Sequence, residues 1–528
     1  MARKGSLADL ATANPEFDVV VVGGGITGAG VAREAAGSGL RTLLVEQKDF
    51  AWGTSSRSSK MVHGGLRYLG SGNLRLTRES VTERQRLMHE APGLVDPLPF
   101  VMPHFRKAFP GPKLFQLLLG IYDRIAGVRT HRYLNHREAL QWVPGLTPEN
   151  LNGASLFMDG VTDDARLVLR VLDEARRDGA VCLNYTEART LHRHEGRVSG
   201  IDLVDAEDGH SVAVRTPLVI NATGAWASML QQQVTASALL HIRPLRGSHL
   251  VVPWSRLPVS CAVSLLHPDD RRPVFAFPWA GTTVLGTTDL DHQRDINCEP
   301  GITPEEVDYL MAIARALFPS AGLDRKEVVS SWAGVRPVVT DGSGKSASKE
   351  NREHVVQEDN GLVSIAGGKL TTFRRIAREA LELGLGEQRR HLLRAGASPV
   401  FAPLAPTDRP AGIAFLDWQR LQGWYGPNVH PLIEQADLAP IAHTGVLWAE
   451  LAWSCQHEQV VHLDDLLLRR TRVGLVLPNG ASELLPELRR YCQPRLGWTD
   501  QQWEQEEKRY LKLYHQAYSL PEDDARHE

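Results

Sequence analysis

The 528-residue sequence is poor in cysteine and carries no large excess of charge of either sign. Its five cysteines include no CxxC pair, so neither a disulfide framework nor a zinc cluster is indicated, and we expect reduced thiols in a reducing compartment. Lys and Arg total 59 against 62 for Asp and Glu, which gives no overall positive field for nucleic acid. Any site for an anion must therefore be local.

The sequence also lacks a long apolar segment. No run reaches the ~18 to 20 uncharged residues that cross a bilayer, and residues 1–18 have no apolar stretch of the kind found in secretory signals. We therefore expect neither a transmembrane helix nor a leader. His457 and His462 stand one residue too far apart for the zinc-binding HExxH motif, and no metal site is predicted.

The first strong pattern is a glycine-rich turn between an apolar run and a helix. Residues 19–22 are valines, Gly23, Gly25 and Gly28 form GxGxxG, and Glu46 closes the next apolar run, about 20 residues on, as the motif requires. Such a turn lets a pyrophosphate approach the backbone at a helix N-terminus, while the acid accepts the ribose hydroxyls. The pattern predicts an α/β fold that binds an adenine dinucleotide.

Two later segments, 218–226 and 361–372, look like returns of the chain to the same domain, because each is an apolar strand that runs into small residues. The second continues into a helical stripe from Phe373, so 368–372 form a helix N-terminus, which can stabilise an anionic reduced flavin. A second GxGxxG flanked by strand and helix is absent. A single dinucleotide motif in a domain that is interrupted by insertions favours bound FAD over a nicotinamide cofactor that exchanges freely.

With these segments placed, the chain closely resembles the FAD-dependent glycerol-3-phosphate dehydrogenases, respiratory enzymes linked to quinone, from about residue 17 to the C-terminal region. The resemblance rests on TSSRSSKMVHGGLRYL (54–69), DDARL (163–167), NATG (221–224), RGSH (246–249), GTTD (286–289), GVRP (334–337) and GGKLTT (367–372). It implies a Rossmann-like FAD-binding domain of the glutathione-reductase type, an inserted α+β substrate domain and a C-terminal helical domain.

The domain boundaries follow from this resemblance and from composition. An oxidoreductase domain is expected over 17–395, and a helical domain over 413–528. Residues 396–412 are rich in proline, which breaks helix and sheet and so marks a linker. Within the oxidoreductase domain, FAD-binding parts alternate with substrate-binding insertions, beginning with an FAD-binding part, at about 17–90, 91–149, 150–235, 236–334 and 335–390.

The resemblance extends the predicted FAD site beyond the glycine-rich turn. Taken alone, residues 54–59 are typical of a polar surface loop, but Gly64 and Gly65 follow and permit close approach of the backbone to a flavin ring. Motif and resemblance together predict as FAD-binding Gly23, Gly25, Ile26, Thr27, Gly28, Glu46, Gln47, Thr54, Ser55, Ser59, His63, Gly64, Gly65, Leu66, Ala188, Ala222, Thr223, Gly224, Trp226, Gly368, Lys369, Leu370, Thr371 and Thr372.

The resemblance also implies a substrate, sn-glycerol 3-phosphate, which is oxidised to dihydroxyacetone phosphate by hydride transfer from C2 to the flavin. Arg336, Arg352 and Lys369 are the implied phosphate ligands, with help from Arg67 and Tyr68. Arginine suits this role because its planar guanidinium bonds phosphate oxygens in pairs.

The reaction needs a base for the C2 hydroxyl proton, and a histidine has a suitable pKa near neutrality. His249 is the first candidate and His63 the second. Arg336 can stabilise the developing alkoxide. Without the resemblance, His249 is as well explained by a hydrogen-bonded core histidine at a strand edge.

Residues 104–137 interleave basic and apolar side chains. Such a stretch can lie in a membrane interface with its cations toward anionic headgroups, or can be a core helix with a solvated rim. The resemblance favours the interface. It implies a homodimer that is peripheral on the inner face of the cytoplasmic membrane and delivers electrons to membrane quinone.

Three other functions stay open at this point. An oxidase of the same architecture would pass electrons to oxygen and form hydrogen peroxide, and these motifs do not determine reactivity with oxygen. A non-catalytic flavin-binding redox sensor would have no need of His249, Arg336 and Lys369 together. A relative that oxidises amines would leave the cationic residues unexplained.

Overall fold

The structure is a computed structural model, and it describes residues 7–11, 15–70, 72–232, 240–270, 272–340, 353–405, 407–434 and 437–522. The strands in these residues are β1 (Val19–Val22), β2 (Thr42–Val45), β3 (Met61–Val62), β4 (Val95–Phe105), β5 (Arg132–Asn135), β6 (Leu151–Thr162), β7 (Val181–Leu183), β8 (Thr186–His194), β9 (Arg197–Asp205), β10 (Ser211–Arg215), β11 (Val219–Asn221), β12 (Ile242–Pro253), β13 (Ala262–Leu266), β14 (Pro273–Trp279), β15 (Thr282–Gly286), β16 (Leu290–Asp291), β17 (Ser330–Val339), β18 (Val355–Asp359) and β19 (Leu362–Ala366).

The α-helices of the described residues begin and end as follows: α1 (Leu7–Ala11), α2 (Ile26–Ala36), α3 (Leu66–Gly70), α4 (Leu74–Glu90), α5 (Pro112–Ala126), α6 (His136–Trp142), α7 (Asp164–Arg177), α8 (Ala227–Gln232), α9 (Pro304–Leu317), α10 (Phe373–Arg389), α11 (Phe415–Tyr425), α12 (Val429–Glu434), α13 (Trp448–His457), α14 (Val473–Val476), α15 (Leu485–Leu496) and α16 (Asp500–Ala517).

The first sheet has the strand order β18-β19-β11-β1-β2-β7. All of its pairs are parallel except β18 with β19. Helices α2, α7 and α10 pack on one face, and the antiparallel strands β8 to β10 cover the other. Because both faces are covered, the valines of β1 are all buried, as parallel sheets require. The predicted Rossmann-like domain is confirmed.

The second sheet has ten strands and forms the inserted α+β region. It extends beyond the predicted insertions at three places. Strand β3 pairs with β6, β6 pairs with β4 from Leu151 to Thr162, and β17 pairs with β12 as far as Val339. Residues 61–62, 151–162 and 335–339 therefore belong to this sheet, although they fall in ranges predicted for FAD binding. Pairing between strands so far apart in sequence leaves no local pattern.

The C-terminal region folds as helices α11 to α16 in the part of the chain that the structure describes. The proline-rich segment before it has neither helix nor strand among its described residues, and most of them are exposed, but two of them anchor it. Val400 and Phe401 are buried in the core of the first domain, and the Nε of Arg33 donates to the Val400 carbonyl at 2.8 Å.

Buried ion pairs fasten the C-terminal helices to the FAD-binding region. Both oxygens of Asp49 accept hydrogen bonds, from Arg469 at 2.6 Å and from Arg470 at 2.6 and 2.8 Å. Arg472 pairs with Asp163 and Asp164. The segment 464–472 of the C-terminal region thus contacts both the loop after β2 and the start of α7.

Candidate active site

A cavity of about 620 Å³ opens at the carboxyl ends of β1, β2, β11 and β19, where open α/β sheets bind their ligands. The predicted residues that line it are Gly23, Gly25, Ile26, Thr27, Glu46, Gln47, Thr54, Ser55, Ala188, Ala222, Thr223, Gly224, Trp226, Gly368, Lys369 and Leu370. The predicted residues outside its wall are Gly28, Ser59, His63, Gly64, Gly65, Leu66, Thr371 and Thr372.

The glycine-rich turn leaves room for a dinucleotide against the backbone. Gly23 has φ +113°, and a Cβ on Gly28 would lie 1.8 Å from the carbonyl oxygen of Gly23, so α2 can approach β1 only without that side chain. The N-terminus of α2 faces the cavity, and the Ile26 N–H donates to Ser55 Oγ at 3.0 Å. The turn therefore fits a pyrophosphate.

Glu46 stands at the end of β2 with both carboxylate oxygens held by backbone. Oε2 accepts from the Gly24 N–H at 2.7 Å, and Oε1 accepts from the Lys48 N–H at 2.9 Å. Burial raises the pKa of Glu46, and these two N–H groups oppose the rise. An acceptor fixed in this way on the cavity wall fits ribose hydroxyls, so the residues present fit FAD.

Strand β17 runs beside the serine loop 54–60 and links it to the second sheet. The Thr54 hydroxyl donates to the Val335 carbonyl, and the Trp332 indole donates to the Ser58 carbonyl at 3.2 Å. Ser58 and Pro337 both line the cavity. Ser59, which follows Ser58, and Arg336, which precedes Pro337, therefore lie next to the cavity wall.

His249 lies behind Ser59 and not on the cavity wall. Its Nε2 is 2.9 Å from Ser59 Oγ, its ring stacks on Trp332 with centroids 5.0 Å apart, and it is 1% exposed. Burial first, and then the charges of Arg336 and Lys60, hold the pKa of His249 well below its usual 6.5. The imidazole is therefore neutral near pH 7 and can accept a proton.

Space for this ring depends on a neighbouring glycine. Gly286 of β15 is directly opposite His249, and a Cβ there would lie 2.1 Å from the histidine Cδ2. The RGSH and GTTD motifs thus meet on paired strands.

Lys60 is a buried cation that the sequence analysis missed. Its Nζ donates to Asp164 at 2.7 Å and lies 4.7 Å from the centroid of Trp332, the ring on which His249 stacks. Burial, followed by the charge of Arg472, lowers the pKa of Lys60 to about 8. Its position inside the serine loop was the available signal, but lysine in a polar loop is usually solvated.

Arg336 is held in place by the GTTD motif. Its Nη1 donates to Asp289 Oδ1 at 2.9 Å, and its Nη2 donates to Thr287 Oγ1 at 3.1 Å. Arg336 and His249 lie on the paired strands β17 and β12. In this register Arg336 is opposite Leu245 and His249 is opposite Trp332, and the charge of Arg336 contributes to the low pKa of His249.

The remaining predicted residues fall into two groups. Lys369 Nζ lies 3.5 Å from the ring centroid of Tyr68, and Thr371 Oγ1 donates to the His63 carbonyl at 3.3 Å, so the GGKLTT helix start meets the HGGLRY motif. The side chain of Arg67 and all of Arg352 lie outside the described residues.

Asn297 lines the cavity, although no sequence motif predicted it. It belongs to the second sheet's connection between β16 and α9, yet it lines the cavity beside Trp52 and Trp226. Its neighbours in sequence show no glycine-rich or periodic pattern, so only the fold could place it here.

The fold and site are those of an FAD-dependent oxidoreductase. The parallel sheet carries the glycine-rich turn and the fixed acid Glu46, and Arg336 lies next to the cavity wall. The family described as FAD dependent oxidoreductase matches residues 18–374, and the C-terminal domain of alpha-glycerophosphate oxidase matches 367–503. Among the described residues, no helix has the length and apolar character needed to cross a membrane.

Comparison with individual relatives identifies the family within this class. Glycerol-3-phosphate dehydrogenase 2 of Mycobacterium tuberculosis is 34% identical over 520 residues, covering 94% of this chain and 88% of its own. The aerobic glycerol-3-phosphate dehydrogenase of Staphylococcus epidermidis is 34% identical over 484 residues, 86% of each chain. The FAD complex of glycerol-3-phosphate dehydrogenase from Bacillus halodurans superposes with TM-score 0.73 and 28% identity over 96% of both chains. The chain belongs to the glycerol-3-phosphate dehydrogenase family, and FAD is its cofactor.

Proposed function

We propose that the protein oxidises sn-glycerol 3-phosphate to dihydroxyacetone phosphate and passes the electrons through FAD to a membrane quinone. The names of its relatives support this substrate. The observation that carries the proposal is the pairing of a fixed cation with a neutral base. Arg336, held by Asp289 and Thr287, lies near His249 beside the wall of the FAD cavity.

The side chains take complementary roles in this reaction. Arg336 and Lys369, with Tyr68 and Arg67, bind and orient the phosphorylated substrate, and Arg336 stabilises the alkoxide as the proton leaves. When bound, FAD supplies the acceptor for the hydride from C2. His249 takes the hydroxyl proton at its imidazole, directly or through the Ser59 hydroxyl at 2.9 Å, and His63 is the alternative base.

Helix α5 supports attachment to a membrane surface. One side of it is buried through Phe115, Leu119 and Tyr122. Leu114, Leu117 and Ile121 form a second stripe that is exposed, Leu117 by 63%. One face of the helix therefore packs on the core, and the exposed apolar face supports the proposed contact with a membrane.

Exposed cations lie on α5 and in the segments that flank it in sequence. Arg106, Lys107, Lys113, Arg124 and Arg129 are all exposed, which suits anionic headgroups around an inserted apolar stripe. A homodimer on the inner face of the cytoplasmic membrane belongs to the same proposal. Co-sedimentation with anionic vesicles and the mass of the detergent-solubilised protein test these two points.

Anaerobic bleaching of the flavin absorbance by sn-glycerol 3-phosphate, with glycerol and sarcosine as controls, tests the substrate. We expect rapid bleaching by the phosphate ester alone. No bleaching by it would contradict the proposal.

The same sample separates the dehydrogenase from the oxidase alternative, which the match of the C-terminal domain to an oxidase family keeps in view. After bleaching, we expect a soluble quinone to restore the absorbance faster than oxygen does. Fast reoxidation by oxygen with formation of hydrogen peroxide would identify an oxidase.

A further inference from the structure

Residues 292–303 connect β16 to α9 without any helix or strand. This connection is longer than the usual 4 to 6 residues or so, and long irregular connections in compact domains are often functional. It leaves the second sheet after β16, contributes Asn297 to the wall of the FAD cavity and ends where α9 begins. We call residues 292–303 the strap.

Glu299 fixes the strap to two other parts of the protein. Its carboxylate accepts from the Trp52 indole at 3.0 Å and also from the Arg57 guanidinium, both in the FAD-binding region. The Tyr518 hydroxyl, just after α16, donates to the same carboxylate. The Glu299 side chain is only 8% exposed. Because its charge is buried against Arg57, this attachment is strong when formed and costly to break.

Asn297 makes a second attachment, closer to solvent. Its Oδ1 accepts from the Trp226 indole at 2.8 Å, and its carbonyl accepts from Lys48 Nζ at 2.7 Å. Asp295 Oδ1 orients it by accepting from its backbone and side-chain N–H groups at 2.9 and 3.0 Å. Asn297 is exposed, so this attachment can open more easily than that of Glu299.

Both attachments act on the wall of the FAD cavity. Trp52, Trp226 and Asn297 all line it, and the two indole rings are 6.0 Å apart. The strand ends and the glycine-rich turn line the same cavity. A dinucleotide bound there would lie in a cavity whose wall includes the two tryptophans that the strap holds.

We propose that the strap retains FAD, with Glu299 as its inner latch and Asn297 as its outer latch, and that FAD leaves when these contacts open. The strap residues then set the lifetime of the holoenzyme and take no part in the hydride transfer itself. The C-terminal domain shares in this retention through Tyr518.

The test measures release of FAD from the purified holoenzyme after dilution, followed by the rise in flavin fluorescence. The variants are Glu299→Gln, Asn297→Ala and Trp226→Phe, the last of which keeps an aromatic ring in the wall. Gln293→Ala, an exposed change in the same strap, is the matched control. We expect each of the three variants to release FAD about two- to twelvefold faster, the effect of losing one hydrogen bond, and the control to match the parent.

The Asn297→Ala and Trp226→Phe changes remove the same hydrogen bond, so their double variant should release FAD no faster than the faster single variant. Parental rates in these two variants would overturn the proposal. Release that only follows unfolding, as measured by far-UV circular dichroism, would also overturn it. If Glu299→Gln does not fold, because Arg57 is left without its partner, the Asn297 and Trp226 variants decide, since neither touches a buried charge.

Discussion

The Nε2 of His249 lies 2.9 Å from the Oγ of Ser59. This contact joins β12 of the second sheet to the serine loop of the FAD-binding domain, and it puts a hydroxyl between the buried imidazole and the cavity wall. If His249 is the base, as proposed, Ser59 either relays the proton or turns aside when substrate binds.

The low pKa of His249 has a measurable consequence for activity. If neutral His249 is the base, kcat/KM stays constant as the pH falls to 6.5, the usual histidine value, and declines only at lower pH. We expect His249→Asn to lower kcat by about 10² to 10⁴-fold. If His63→Asn has that effect and His249→Asn does not, His63 is the base.

Lys60→Met tests the origin of that low pKa. Removing this charge should raise the pKa of His249 and move the acid decline of kcat/KM to higher pH, because a nearby cation opposes protonation. Asp164 keeps Arg472 as a partner in the variant. An unchanged pH profile would show that burial and Arg336 alone set the pKa.

Arg336→Ala should abolish turnover and leave FAD bound. Removing a group that stabilises developing negative charge costs about 10² to 10³-fold in kcat, and Arg336 bonds Asp289 and Thr287 of the second sheet region. Arg336→Lys should recover part of the activity as a point charge without the planar fork. Unchanged kinetics on glycerol 3-phosphate would contradict the assigned role. Loss of FAD would show that Arg336 has a structural role instead.

Glu46→Ala should weaken FAD binding by about tenfold or more through the lost hydrogen bonds to the ribose. Titration of the apoprotein with FAD, followed by quenching of flavin fluorescence, measures this. Glu195→Ala, which removes an exposed acid at a hairpin turn, is the control. Equal affinities in the two variants would show that Glu46 serves only the Gly24 turn.

Asp49→Asn should lower the free energy of unfolding by about 3 to 5 kcal/mol, because it leaves Arg469 and Arg470 buried without their shared counter-charge. Although burial opposes it, the two guanidinium groups lower the pKa of Asp49 to about 2, from a usual 3.8. The carboxylate thus stabilises the fold above about pH 4, and this contribution is lost as the pH falls through about 2.

Urea unfolding of parent and Asp49→Asn at pH 7 and at acid pH measures this difference, which should shrink on acidification. Arg256→Met, which breaks an exposed pair with Glu327, should show no resolved change. A constant difference at all pH values would mean that the Asp49 charge does not matter.

Leu117→Glu combined with Ile121→Glu should abolish co-sedimentation with anionic vesicles while turnover with a soluble quinone persists. Charges on the exposed stripe of α5 remove its apolar contact with lipid. Leu383→Glu, an equally apolar but separate exposed position on α10, is the control. Membrane binding that survives the double change would place the contact elsewhere.

The sequence motifs predicted the identity of the cofactor, but they did not predict which distant residues contact one another around its site. Gly23, Gly25, Gly28 and Glu46 have meaning at short, regular spacing, so the turn and its acid were predictable. By contrast, Arg470, in the C-terminal segment 464–472, pairs with Asp49, which lies just after β2. Nothing in the local pattern of either segment names its partner.

The sequence by itself determined the Rossmann-like unit, FAD and the family, because these depend on residue types at fixed short separations along one segment. Only the tertiary structure decided that His249 is buried behind Ser59, that Lys60 lies beneath Trp332, and that Asn297 closes the cavity wall. These relationships depend on strand register and on loops that meet from distant parts of the chain. Burial and hydrogen-bond geometry are created when those segments pack together, and it is mainly burial that lowers the pKa of His249 and keeps its imidazole neutral.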